Sequence, residues 1–90
     1  MEARNSFLYY LKGGNKMVWK DNIDKILKEE RKEWGMSRKK LARLAHVDED
    51  LIEDIETKKI TNPDFYDMLS ICDVLQTSVF FYILEEEKND

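Results

Sequence analysis

The stretch GMSRKKLARLAHVDEDLIEDIE, residues 35–56, decides how the rest of the chain is interpreted. It predicts two short helices joined by a tight turn, because Ser37 is a good helix cap and apolar residues then recur at helical spacing. Asp48 is placed to cap the second helix. The spacing predicts that Leu41, Ala42 and Ala45 of the first helix point inward, together with Val47 before the second helix and Ile52 and Ile55 within it.

The second helix of this pair is acidic, and no Lys or Arg lies between residues 46 and 56. Its acidic side chains are Asp48, Glu49, Asp50, Glu53, Asp54 and Glu56. The neighbouring segments are basic instead, with Arg38, Lys39, Lys40 and Arg43 before the turn and Lys58 and Lys59 after the helix. The two helices of this pair therefore have opposite net charges, and the function of the pair must be consistent with both.

Hydrophobic periodicity and end signals predict five helices along the chain. They cover about residues 21–34, 37–45, 48–57, 64–75 and 78–85. Gly35 ends the first helix, while Asn62 as a cap and Pro63 at the first helical position begin the fourth. The connections are short and no strand is predicted, so the fold class is all-α, a compact helical bundle.

The N-terminal segment, residues 1–16, differs from the domain that we assign to residues 17–90. The breaker Gly13-Gly14-Asn15 separates an aromatic patch from the later helical periodicity. One interpretation is a flexible arm, or a short helix whose apolar side chains dock on the domain. A second interpretation is that the codons of Lys12-Gly13-Gly14 act as a bacterial ribosome-binding site. In that case translation would start at Met17, and residues 1–16 would come from an upstream start.

The composition of the chain limits the classes of protein function to which it could belong. With 90 residues, 42% hydrophobic and 38% charged, the chain is long enough for one small folded domain of net charge −4. Cys72 is the only cysteine, which excludes an internal disulfide and favours a reducing cytoplasm. No apolar run reaches the ~20 residues of a membrane span. His46 and Cys72 cannot compose a zinc site, and no phosphate loop is present, so we expect no enzyme, no cofactor and no small-molecule ligand.

From about residue 23 to residue 84 the pattern resembles the lambda-repressor-like helix-turn-helix family, also called the XRE or Cro family. The residues that carry the resemblance are Gly35-Met36-Ser37, Leu41-Ala42, Ala45, Val47, Ile52, Ile55-Glu56, Asn62-Pro63, Leu69, Ile71-Cys72 and Val74-Leu75. The resemblance implies a five-helix repressor-type bundle with an N-terminal arm, in which the third helix enters the DNA major groove. It also implies a structural ion pair between Arg31 and Glu56.

Three positions depart from the family pattern. His46 stands in the turn where the family has Gly, a site that commonly needs positive φ. Arg38 replaces the Gln that often follows the Ser cap. The acidic third helix is the largest departure, because a carboxylate ~6 Å from a phosphate is repelled by roughly 0.7 kcal/mol even in water. The recognition surface, for protein or DNA, consists of Asp48, Glu49, Asp50, Leu51, Glu53 and Asp54.

These departures favour a small phage or bacterial transcription regulator that acts largely through protein contact. Leu51 is an apolar side chain surrounded by carboxylates, and such a surface would complement a basic protein surface with a small apolar pocket. The partner would be either another regulatory protein or a second copy of this chain. One alternative is a dimeric, sequence-specific DNA-binding repressor that holds phosphates with Arg38, Lys39, Arg43, Lys58 and Lys59. Another is an antitoxin-like binder of a basic protein.

The predicted last helix also indicates a partner, because the run VFFYIL, residues 79–84, is apolar around most of its circumference. Proteins that resemble this family commonly dimerise through the fifth helix. We therefore expect a homodimer with Phe80, Phe81 and Leu84 as the candidate contacts. The alternative is that residues 7–11 fold back and cover this patch.

Overall fold

A computed structural model describes residues 18–84 of the chain. The arm expected over residues 1–16, and the question of a start at Met17, lie outside these residues. The described part contains four α-helices, which we number α1 to α4. They are α1, Ile23–Glu33; α2, Arg38–Ala45; α3, Glu49–Glu56; and α4, Phe65–Leu75. A single turn of 3-10 helix, Val79–Tyr82, follows α4.

The helix ends follow the local signals with one exception. Ser37 caps α2, and its hydroxyl accepts a hydrogen bond from the Lys40 backbone N–H at 3.0 Å. The cap predicted at Asn62 is wrong, because the Asp64 carboxylate accepts from the backbone N–H groups of Tyr66 and Asp67. The fourth helix therefore starts later than Asn62-Pro63 indicates, at Phe65.

The predicted fifth helix over residues 78–85 is also wrong, since the chain makes only the 3-10 turn before it becomes extended at Ile83. Ile83 forms an isolated antiparallel β-bridge with Trp19. Two hydrogen bonds flank the bridge, from Lys20 N to Tyr82 O at 2.9 Å and from Leu84 N to Val18 O at 2.8 Å. The backbone of this segment is thus satisfied by the start of the described chain, a non-local pairing that competes with a helix.

One hydrophobic core joins all the elements, with α2 packed on both α3 and α4. Its fully buried side chains are Leu27, Leu41, Ile52, Ile55, Met68, Ile71, Cys72 and Tyr82. Helical spacing predicts that Leu69 and Trp34 point inward, but they are 38% and 50% exposed. The Trp34 indole donates a hydrogen bond to the Leu75 carbonyl at 2.9 Å. Within residues 18–84, no helix is both long and apolar enough to cross a membrane.

Candidate functional site

The turn between α2 and α3 has the geometry of a Schellman motif. His46 adopts the left-handed conformation, with φ of 60°, and its N–H donates to the Arg43 carbonyl. The next N–H, from Val47, donates to the Ala42 carbonyl at 3.0 Å. Ala42 itself is buried. The positive φ expected at His46 is therefore present, in a conformation that Gly would adopt without strain.

A buried carboxylate fixes α3 against the two helices before it. Glu56 has a fully buried side chain and accepts hydrogen bonds from Arg31 at 2.7 and 2.8 Å. A third bond comes from Arg38 Nε at 3.1 Å. Arg31 also donates to the Met36 carbonyl at 2.8 Å. The pair expected between Arg31 and Glu56 is thus part of a larger network that joins α1, the α1–α2 turn, α2 and α3.

This network shifts the pKa values of both partners. Burial by itself raises the pKa of the Glu56 carboxyl, but the hydrogen bonds and charges of Arg31 and Arg38 outweigh it, so the pKa lies below the ordinary value. The hydrogen bond to Glu56 raises the pKa of Arg31 against the opposing effect of burial. Both groups are therefore charged at neutral pH, and each needs the other.

The outward side of α3 presents carboxylates to solvent. We call Asp48, Glu49, Asp50, Glu53 and Asp54 the acidic face; all are exposed except Asp54, which is half-buried. In the part of the chain that the structure describes, the ion pairs join other residues, and none involves the acidic face. Asp48 occupies the cap position of α3, yet its side chain makes no capping hydrogen bond.

The basic residues near this face divide into two groups. Lys39, Arg43 and Lys59 are exposed. Arg38 is partly buried and donates to Glu56; the Lys58 side chain is 53% exposed, and its ammonium donates to the Asp21 carbonyl at 2.8 Å and lies 3.7 Å from an Asp24 carboxylate oxygen. Arg38 and Lys58, two of the expected phosphate contacts, therefore also form contacts within the domain, Arg38 at a partly buried site and Lys58 at the surface.

The structure adds one residue that the sequence reasoning missed. Asp67, from the first turn of α4, lies at the edge of a shallow hollow beside the acidic face. The other residues of the hollow come from the α2–α3 turn and the start of α3, and are His46, Val47, Asp48 and Leu51. No local signal marks Asp67, because only the packing of α4 brings it there.

Comparison with known proteins identifies the domain that these helices form. A family model, the Cro/C1-type HTH DNA-binding domain, matches residues 22–79. The chain belongs to this family. The match covers α1 to α4 and confirms the family expected from the motif residues. None of the curated proteins matches the chain.

Three similar solved structures contain SinR. The chain is 34% identical to the master regulator for biofilm formation SinR in complex with DNA, with a TM-score of 0.63 over 64% of this chain and 92% of that chain. It is 33% identical to the N-terminal DNA-binding domain of SinR from Bacillus subtilis, with a TM-score of 0.66 over 68% of this chain and 88% of that chain.

The third structure is a SinR protein/SinI protein complex, with 34% identity and a TM-score of 0.64. This match covers 66% of the present chain and 57% of the other, so the chain spans little more than half of that protein. Family and fold together make the present chain a helix-turn-helix regulator of the repressor type. DNA-binding regulators of this kind are typically not enzymes.

Proposed function

We propose that this chain regulates transcription in a bacterial or phage circuit mainly by binding a basic surface of another protein with its acidic face. In this proposal α3 does not enter the major groove. The observation that carries it is the solvent-facing set of α3 carboxylates, which has no cationic partner within residues 18–84. The SinR structures support both kinds of partner for this fold, since one contains DNA and another contains SinI.

Electrostatics argue against the groove for this surface. Each carboxylate ~6 Å from a phosphate is repelled by roughly 0.7 kcal/mol at the dielectric of water, and by more once water is displaced. Several such repulsions approach the ~4–10 kcal/mol that separates specific from non-specific DNA binding. A few carboxylates can accept hydrogen bonds from cytosine amino groups, but a whole face of them cannot.

Two of the five candidate phosphate contacts, Arg38 and Lys58, already form bonds within the domain. DNA-binding proteins obtain most of their affinity from Lys and Arg side chains placed on phosphates. Here the Arg38 guanidinium is bound to Glu56, and the Lys58 ammonium is bound to the Asp21 carbonyl. Each keeps further N–H donors, so a phosphate contact from either residue would have to be made from the position that this bond sets.

The second candidate function is that of a DNA-binding repressor, and membership of the Cro/C1-type family is the observation that favours it. In this case Lys39, Arg43 and Lys59, which are exposed, would hold phosphates. The acidic face would then either remain outside the major groove or accept hydrogen bonds from amino groups of the bases. This candidate requires affinity for duplex DNA that falls steeply with salt.

A charge-matched pair of variants separates the two candidates. The test variant is Asp50→Ala, Glu53→Ala and Asp54→Ala on the acidic face. The control is Glu29→Ala, Glu33→Ala and Asp73→Ala, which removes the same charge from exposed positions on α1 and α4. Fluorescence anisotropy with labelled duplex DNA, from the gene's own promoter and of unrelated sequence, measures binding over a range of salt concentrations.

We expect weak DNA binding by the natural chain and a gain of about tenfold or more in the test variant, because local repulsion is removed. The control should gain less, since its carboxylates are not on α3. Tight promoter binding by the natural chain that the test variant loses would overturn the proposal. A partner captured from the host should have a basic surface, and its binding should weaken in the test variant but not in the control.

A further inference from the structure

The hollow beside the acidic face combines apolar and acidic groups. Val47 and Leu51 are half-buried and pack against the hydrophobic core, so they form a fixed apolar surface. Asp48 comes from the start of α3 and Asp67 from the first turn of α4. Two carboxylates from different helices thus line the same hollow, in which Val47 and Leu51 supply the smaller, apolar part of the exposed surface. His46 is the remaining residue that lines the hollow.

Both carboxylates are available to a ligand. Asp48 has the extended backbone of a helix cap, but its side chain makes no capping bond. The neighbouring Asp64 differs, since its carboxylate is occupied by two backbone N–H groups of α4. The ion pairs within residues 18–84 include neither Asp48 nor Asp67. The lining also contains no Lys or Arg.

We propose that this hollow receives an arginine side chain of the protein partner. The methylene stem lies on Val47 and Leu51, and the guanidinium binds the Asp48 and Asp67 carboxylates. This inference rests on the proposed function and names the anchor of the same interface. It also extends the interface from α3 onto α4.

Arginine fits the hollow better than lysine for three physical reasons. Its planar guanidinium has donors in several directions, so it can bridge two carboxylates that different helices hold. It is more weakly hydrated than an ammonium, so it loses less on leaving water. Its stem and flat head also pack well on apolar surface such as that of Leu51.

Titrations of the full chain with three defined peptides test the proposal. The probes are short peptides of glycine alternating with arginine, lysine or citrulline, the neutral analogue of arginine. Backbone amide NMR shifts report the position of binding, and their concentration dependence gives the dissociation constant. We expect saturable shifts at residues 46–51 and 66–68 with the arginine peptide. The lysine peptide should bind roughly threefold or more weakly, and the citrulline peptide should not saturate.

Two substitutions of equal charge provide the control. Asp67→Asn should weaken the arginine peptide roughly threefold to tenfold, whereas Asp73→Asn, exposed on the same helix, should leave it unchanged. Asp48→Asn should act like Asp67→Asn without a large loss of stability, because the Asp48 side chain makes no capping hydrogen bond that the change could remove. Thermal unfolding of each variant verifies the fold.

The proposal would be wrong if Asp67→Asn and Asp73→Asn had equal effects, or if the arginine and lysine peptides bound with equal affinity. Either result would mean that the peptides are held by general charge attraction and not by the hollow. Shifts confined to other surfaces would do the same. These outcomes differ from failure of the proposed function. In that case, partner binding itself no longer depends on Asp50, Glu53 and Asp54, whatever happens at Asp67.

Discussion

Glu56 is a single residue on which the relative placement of α1, α2 and α3 depends. Its carboxylate lies in the interior and accepts three hydrogen bonds from two arginines. Burying such a group is unfavourable unless it is paired, and removing one partner leaves the other charge uncompensated. The role of Arg31 was expected from the family resemblance. The contribution of Arg38 was not, because its position suggested a phosphate contact.

The first prediction concerns Glu56→Gln, which keeps the shape of the side chain and removes its charge. We expect the free energy of unfolding at neutral pH to fall by about 3 kcal/mol, because the Arg31 guanidinium stays buried without a counter-charge. Urea denaturation measures the change. Glu53→Gln on the exposed face is the control and should change stability by less than about 0.5 kcal/mol.

The pH dependence of this difference follows from the pKa of Glu56. The folded state lowers that pKa from the ordinary value of 4.5, so the stabilisation is complete above 4.5 and is lost as the pH falls through the lower, folded value. In acid the natural chain protonates Glu56 and approaches the Gln variant. The stability gap should therefore shrink below pH 4.5; a gap that stayed constant in acid would contradict the assigned pairing.

At the scale of secondary-structure elements, local signals predicted α1 to α4 well, since periodicity, Ser37 and Gly35 act within a few residues. The segment after α4 was not predictable in this way. Val79 and Tyr82 are buried at a spacing that also suits a helix, so periodicity cannot distinguish a 3-10 turn from an α-helix. The deciding interaction is the pairing of Ile83 with Trp19, which lies at the other end of the described chain.

The second prediction concerns the attachment of the 3-10 turn to α1. Tyr82 is fully buried and its hydroxyl donates to a Glu30 carboxylate oxygen at 2.6 Å. Tyr82→Phe keeps the ring in the core but leaves Glu30 without this donor. We expect thermal and urea unfolding to show a loss of about 1–2 kcal/mol. Tyr66→Phe, at a residue that is 58% exposed, should have no measurable effect. A loss of the same size there would indicate that the method does not resolve this hydrogen bond.

At the scale of the whole molecule, the surface of the described residues contains two separate regions that could bind another protein. One is the acidic face with its hollow. The other is an apolar patch at the bridge, where Phe80, Phe81 and Leu84 are between 44% and 50% exposed. The Lys20 ammonium lies over the Phe81 ring, 4.7 Å from its centroid, and covers part of that side chain. The sequence indicated both regions, although it assigned the second to a helix that does not form.

The third prediction is that the apolar patch supports a homodimer. Phe81→Ser with Leu84→Ser should raise the dimer dissociation constant by about tenfold or more, because each replaced side chain removes apolar contact area. Sedimentation equilibrium of the full chain measures it. Tyr66→Ser with Leu69→Ser, exposed on α4, is the matched control and should leave it unchanged. A natural chain that remains monomeric at high concentration would contradict the prediction.

The bridge between Trp19 and Ile83 has a geometric consequence. Val18 and Leu84, the first and last described residues, share a backbone hydrogen bond of 2.8 Å, so the path of the described chain is almost a closed loop. A linker of a few residues would close it into a ring, and the ring could then be cut at an exposed connection between two helices. The helices would follow one another in a new order with every packing contact retained. The architecture of this domain therefore depends on which helix faces pack together, and not on which helix comes first along the chain.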